Sequence, residues 1–172
     1  MDGFGFGFIV ILGLALLFII ILAKTAVVVP EGHAYVVERL GRYSDTRGPG
    51  FHILLPFVDV VRYRYSLKEQ VVELPTQICT TRDDRQIEVH AILRFKIVDP
   101  RKASYAVANY FFAILQLTQT ALRQEISKLE ADRAREDWAP IAAAVTSEIA
   151  RTAEPWGIAV LGFELGNMTV PS

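Results

Sequence analysis

The pattern of apolar and polar positions divides the chain into three stretches. The first, Phe4 to Ala23, reads FGFGFIVILGLALLFIIILA and carries no charge. About 20 apolar residues are what a helix needs to cross a hydrocarbon core of about 30 Å. An isolated span in lipid must be helical to satisfy its own backbone. The stretch therefore predicts a membrane anchor over residues 1–24. A cleaved signal peptide is the alternative. It is opposed by the absence of Lys or Arg before the run and by Lys24 at the minus-three position of a cut after Ala26. The run also exceeds the roughly 7–15 apolar residues of such peptides.

The second stretch, 25–98, reads as β structure. Short β-branched or alternating runs predict strands at 26–29, 33–40, 58–65 and 68–76. Gly41 to Gly50 reads as a polar loop, and Asp83-Asp84 as a hairpin tip. The clearest strand is 85–98. There Ile87, Val89, Ala91, Leu93, Phe95 and Ile97 fall on one face, and Gln86, Glu88, His90, Arg94 and Lys96 fall on the other. Such alternation predicts an antiparallel strand with one buried side.

In the third stretch, 99–172, the period changes. Asp99 with Pro100 predicts a capped helix start. Asn109 caps a longer helix, Tyr110 to about Glu130, with Ile114, Leu115, Ala121, Leu122, Ile126 and Leu129 at helical spacing. A third helix is expected over 137–154, with Pro140 confined to its first turn. Pro155-Trp156-Gly157 ends it, and 158–170 returns as a strand. Strands, then helices, then one strand predict an α+β fold. The expected divisions are an anchor at 1–24, an antiparallel β subdomain at 25–98 and an α/β subdomain at 99–172.

Charge changes the picture little. Lys plus Arg is 18 against 19 Asp plus Glu, a net charge of −1, which excludes a protein whose whole surface tracks nucleic-acid phosphate. Basic residues near the apolar run lie after it, at Lys24, Arg39 and Arg42, with only Asp2 before it. This bias predicts the N-terminus outside and the bulk of the chain in the cytoplasm. The half after the anchor has a slight basic excess, suited either to anionic headgroups or to ordinary surface scatter. The single Cys79 excludes a disulfide framework and a multi-thiolate zinc site.

Candidate chemistry is sparse. His33, His52 and His90 are scattered, and neither G-x-S-x-G nor a Walker A loop nor H-E-x-x-H occurs. Arg62-Tyr63-Arg64-Tyr65 alternates, so the arginines and the tyrosines are expected on opposite faces rather than converging on a base. No nucleic-acid partner is expected. The segment Gly48 to Phe57 is more informative, with five large apolar residues in a loop opened by glycines and closed by proline. It reads either as a buried buttress or as a loop dipping into the bilayer surface. On the second reading Phe51, Ile53, Leu54, Leu55 and Phe57 contact lipid.

The residues also resemble a known family. Val29-Pro30-Glu31-Gly32, then Val37 to Tyr43, Gly48-Pro49-Gly50 with Leu55 to Asp59, Val98-Asp99-Pro100 with Ala103 and Tyr105, Pro155 to Ile158 and Phe163-Glu164 stand in an order similar to that of the SPFH or band-7 proteins. That superfamily comprises stomatin, prohibitin, flotillin and HflK-HflC. The resemblance is nearest the bacterial stomatin-like (paraslipin, QmcA-type) branch. It implies an N-terminal transmembrane helix followed by an SPFH domain, in a scaffold at the bacterial inner or plasma membrane. Such a scaffold forms homo-oligomers, organises lipids and membrane proteins, and in several members modulates a membrane protease or pairs with an NfeD-like protein. It implies no catalytic, cofactor-binding or metal residue. The sequence departs from the family at Ala131-Asp132 and Trp138-Ala139. It ends at Gly166 to Ser172, where the family's coiled coil is expected to begin and is absent. Two rivals remain: an adaptor that recruits an NfeD-like or protease partner without oligomerising, and a membrane-tethered hydrolase pairing Cys79 with a histidine.

Overall fold

The computed structural model describes the backbone of residues 2–136 and 138–169, and their side chains except at 2–6, 9, 21–24, 135–136 and 167–169. The expected helix start at Asp137 and the expected strand end at Val170 lie outside the described residues. The chain forms two compact units, Met1–Ser66 and Leu67–Ser172. The boundary expected at 98/99 falls inside the second unit. The strand before it pairs with the last strand of the chain, so sheet pairing joins what the change of period had separated.

The first unit opens with helix α1 (Asp2–Thr25). Large apolar side chains, among them Phe8, Ile11, Leu14, Leu16, Leu17, Phe18 and Ile19, are exposed along it. Among the described residues no helix is long and apolar enough to cross a membrane. The ends of the span expected at 1–24 have side chains outside the described set.

Strand β1 (Ala26–Val29) pairs antiparallel with β4 (Gly50–Ile53). A second sheet has the order β3-β2-β5, built from β2 (His33–Arg39), β3 (Arg42–Arg47) and β5 (Asp59–Ser66). The polar loop expected over 41–50 is thus largely strand. β3 reads RYSDTR and lies at a sheet edge. An edge strand with no fully buried face carries no apolar alternation to announce it. Leu40 and Gly41, with φ of 51° and 78°, make the tight β2–β3 turn, whose two positive φ values match the strands' right-handed twist. Ala34, Val36, Val37 and Tyr65 are buried in this sheet.

The second unit is a three-stranded antiparallel sheet, β6-β7-β8, with helices between its second and third strands. The strands are β6 (Gln70–Thr80), β7 (Gln86–Ile97) and β8 (Ile158–Thr169). The helices are α2 (Pro100–Tyr105), α3 (Tyr110–Ser127), α4 (Ala131–Glu136) and α5 (Trp138–Ala153). All six β7 residues expected inward are buried, and Ile87, Val89, Ala91, Leu93 and Phe95 share one core with Ile114, Leu122 and Ile126 of α3 and Ile141, Val145 and Ile149 of α5. Asp99 accepts from the Lys102 N–H at 3.1 Å and Asn109 from the Phe112 N–H at 3.1 Å, so both expected caps form.

Two long-range ties set the helical layer. The hairpin tip at Asp83-Asp84 reaches α4. The Asp83 carboxylate accepts from the Ala131 N–H at 3.0 Å and from the Thr81 hydroxyl at 2.7 Å. Arg82 donates its backbone N–H to Leu129 C=O at 2.8 Å. The Thr81 hydroxyl first, and then the Ala131 N–H, hold the Asp83 carboxyl below the usual carboxylate range.

At the other end, Gly157 follows the single-turn 3₁₀ segment Glu154–Trp156 with φ 72°. Its C=O accepts from the N–H groups of Val98 and Asp99 at 2.9 and 3.1 Å. A Cβ there would lie 2.4 Å from Asp99 O and 2.8 Å from Asp99 Cβ. Both the left-handed conformation and the contact require glycine. Gly157→Ala is expected to cost about 2–4 kcal/mol through the left-handed penalty and overpacking together. Gly48→Ala, which meets nothing within 4 Å, should stay within about 0.5 kcal/mol of the parent. Urea unfolding of the two variants checks the contrast; equal midpoints would refute it.

Candidate membrane-contact face

Beyond α1, several exposed apolar residues of the first unit lie on β1, β4 and the turn that follows. In the β1–β4 register Val28 faces Phe51 and Ala26 faces Ile53. Directly opposed residues of an antiparallel pair share a face. That face is open: Val28 is 68% exposed, Phe51 64% and Ile53 69%. The reverse face carries Val27, Val29 and His52, and Val29 is buried. The His52 Nε2 lies 2.7 Å from Gly48 C=O and closes the entry to β4.

Leu54 turns the other way. It is 6% exposed, and its N–H donates to Thr25 C=O at 2.8 Å. The expectation that Leu54 contacts lipid is therefore corrected: alternation after Ile53 carries it inward, and the hydrogen bond to the last residue of α1 holds it there. The buttress and the exposed loop, posed as alternatives, are both present in one segment. Leu54 is the buttress, while Phe51, Ile53, Leu55 and Phe57 are outside.

The turn from Leu55 to Asp59 is closed from both ends. The Asp59 N–H donates to Leu55 C=O at 2.9 Å, and the Leu55 N–H donates to Asp59 Oδ2 at 3.0 Å. Phe57 has φ 66°, an uncommon conformation for a bulky residue, and its side chain is 89% exposed. Arg39 clamps Asp59 with Nε to Oδ1 at 2.7 Å and Nη2 to Oδ2 at 3.0 Å. The hydrogen bond from Arg39, and after it the Leu55 N–H, hold the Asp59 carboxyl below the usual range. A bidentate arginine fixes both oxygens of the carboxylate, so the turn that displays Phe57 has a pinned base.

Two residues of the exposed group lie outside the sequence expectation. Val28 joins it through pairing with Phe51, and Leu40, itself exposed, donates its N–H to Val58 C=O at 3.2 Å. A partner strand remote in sequence places the first, and backbone bonding across the turn places the second, so local pattern carried no signal for either.

The remaining sequence candidates have these surroundings. Cys79 is fully buried in the core of the second unit, and burial pushes its thiol up. This is the environment of an inert structural cysteine. The His33 Nδ1 lies 3.2 Å from Glu31 C=O, and His90 is exposed on β7. Among the described residues no three His, Cys, Asp or Glu side chains are grouped to hold a metal ion.

Comparison with known proteins places these features in context. Residues 27–172 match the model of the SPFH domain / Band 7 family. The chain is 38% identical over 143 residues to the human mitochondrial stomatin-like protein 2, covering 83% of this chain and 40% of that protein. It is 34% identical over 144 residues to a stomatin-like protein of Caenorhabditis elegans, covering 84% and 44%. An uncharacterized protein of Mycobacterium tuberculosis is 32% identical over 171 residues, covering 99% of this chain and 45% of its own length. The chain thus spans less than half the length of these curated relatives.

The Asp59 clamp makes a pH-dependent prediction. The carboxyl's pKa is lower folded than unfolded, so its contribution is complete above about pH 4 and fades as pH falls through the folded value. In Asp59→Asn the Leu55 amide should exchange faster than in the parent at neutral pH. The gap between the two proteins should close as the solution is acidified below about pH 4. Amide hydrogen exchange followed by NMR reads this. A gap independent of pH would show that the carboxylate is not what holds the turn.

Proposed function

The chain belongs to the SPFH domain / Band 7 family, in its stomatin-like branch, and from that premise we propose that it is a membrane-anchored scaffold which embeds α1 in the bilayer and lays the β1–β4 face against it. Family membership supports a membrane-associated, scaffold-type role. The observation that carries the finer reading is the hydrogen bond of Leu54 to Thr25. It joins the last residue of an apolar helix to the middle of an apolar strand-turn segment. Wherever the end of α1 meets the bilayer surface, Phe51, Ile53, Leu55 and Phe57 are held beside it.

The energetics favour that placement. A helix of 24 residues extends about 36 Å, against a hydrocarbon core of about 30 Å. Its described side chains leave no polar face. The exposed residues of β1, β4 and the turn add an interfacial contact at about 0.8 kcal/mol per buried CH₂, enough to orient a tethered unit. The basic residues that follow the helix, Lys24, Arg39 and Arg42, support a cytoplasmic face of a bacterial inner or plasma membrane. In this reading the protein self-assembles and organises lipids or membrane proteins. Modulation of a membrane protease, or pairing with an NfeD-like protein, belongs to the same proposal. It needs no catalytic residue, and the buried Cys79 disfavours the hydrolase rival.

Site-specific labelling tests the placement. A fluorophore on Phe51→Cys or Phe57→Cys, in the full chain reconstituted in phosphatidylcholine vesicles, should be quenched by brominated lipid. Absence of quenching at both β-unit positions would remove this face from the membrane. Self-assembly is read separately by lysine crosslinking in native membranes. A ladder of self-adducts supports the scaffold, and a single hetero-adduct would replace it with a non-oligomerising adaptor.

A further inference from the structure

We propose that the free edge of β6 and the neighbouring wall of α3 form a groove that binds an extended peptide by strand addition, with an acidic side chain of that peptide received by Arg123. The groove lies within the second unit and does not depend on how the chain meets a membrane. The sheet order β6-β7-β8 leaves β6 at an edge. The Thr81 N–H donates to Arg85 C=O at 2.9 Å across the hairpin, and the register continues as Cys79 opposite Ile87. In an antiparallel pair every second residue bonds to the same neighbour. Thr81 and Cys79 therefore turn their backbone groups toward β7, and Ile78 and Thr80 turn theirs toward the open side.

Edge strands are ordinarily protected by charge, proline or a bulge. On β6 that protection stops partway. Pro75 and the register shift between Leu74 and Gln77 interrupt the strand. Beyond them, Gln77-Ile78-Cys79-Thr80 carries no charge and no proline, and Ile78 is exposed. Beside this stretch is a cleft of about 410 Å³, lined by Ile78, Thr80, Thr120, Arg123, Gln124 and Ser127. The strand supplies one wall and the last two turns of α3 supply the other. A sheet edge lets a peptide take main-chain hydrogen bonds from the strand, while neighbouring side chains select its sequence.

Charge defines the occupant. Among the described residues Arg123 forms no ion pair. Its Nη2 donates to Gln77 Oε1 at 3.3 Å, and the Gln77 Nε2 is enclosed with no hydrogen-bond partner. Donors outnumber acceptors at this spot, and an ionised carboxylate, which only accepts, matches a guanidinium. Arg123 stands midway along the helical wall, between Thr120 and Ser127. That central position suits an acidic side chain within a peptide rather than a carboxylate at its end. Register completes the motif. Opposed residues share a face, so a residue added opposite Cys79 faces the α3 side and is the acidic one. Residues opposite Ile78 and Thr80 lie on the other face, where exposed Ile78 favours an apolar neighbour. The groove thus selects an apolar–acidic–apolar triplet in extended form.

The probe is the peptide Thr-Val-Glu-Val-Thr, capped at both ends so that Glu is its only carboxylate, titrated calorimetrically into the detergent-solubilised full chain. It should bind saturably, and the same peptide with Gln in place of Glu should bind about tenfold more weakly. N-methylation of the two valines, whose N–H groups face β6 in this register, should abolish binding. N-methylation of the Glu, whose N–H faces away, should leave binding in place. These arms need no variant of the protein. Arg123 is exposed, so Arg123→Gln should keep the parent's far-UV circular dichroism and erase the preference for Glu over Gln, and Arg123→Lys should restore part of it. No binding of the Glu peptide, equal binding of the Glu and Gln peptides by the wild type, or indifference to valine methylation overturns the proposal. Self-association of the wild type, read by sedimentation velocity, that Arg123→Gln abolishes would also overturn it and assign the edge to a second copy of the chain.

Discussion

The hydrogen bond from the Leu54 N–H to Thr25 C=O is the constraint on which the functional reading depends. A helix leaves its last carbonyls without intrahelical partners, and in the first unit one of them is satisfied by a residue nearly thirty positions later. The bond fixes where the apolar segment begins relative to α1. Pairing of β4 with β1 extends that fixation along the strand, and the Arg39–Asp59 clamp secures the turn beyond it. Three local devices therefore hold four large exposed apolar side chains in a defined array. An apolar loop held only by its own contacts would collapse onto itself to hide that surface.

The second unit solves a different problem. Its sheet has one face covered by α3 and α5 and is completed by a strand from the far end of the sequence. Such closure demands that the intervening helices return the chain at the right height. Asp83 fixes one end by capping α4 from a hairpin tip. Gly157 fixes the other, where its carbonyl receives two N–H groups from the end of β7. Neither residue contributes apolar area. Their role is positional, and the buried residues of β7, α3 and α5 supply the hydrophobic term.

How far the elements were legible follows from how much each residue's neighbours in sequence are also its neighbours in space. β7 was read with its inward face correct, because twelve residues of alternation describe one half-buried strand. The caps at Asp99 and Asn109 were legible because a cap bonds within three residues. β3 was read as loop, because an edge strand of polar residues leaves no hydrophobic trace. The division at 98/99 followed the change of period, whereas the units divide at 66/67, since β6 and β7 belong to the sheet that β8 closes.

The candidate face divides along the same line. Composition alone determined that Gly48 to Phe57 holds more apolar surface than a solvent-exposed loop ordinarily carries, and that an apolar helix precedes it. Those are properties of residue type, and they need no partner. Tertiary pairing decided the rest. It buried Leu54, recruited Val28 through its cross-strand contact with Phe51 and, in the second unit, set Arg123 beside the free edge of β6. Which side of a strand faces outward, and which remote residue lies opposite, depend on hydrogen-bonded register. That is a relation between segments far apart in the chain, invisible to any reading that moves along it one window at a time.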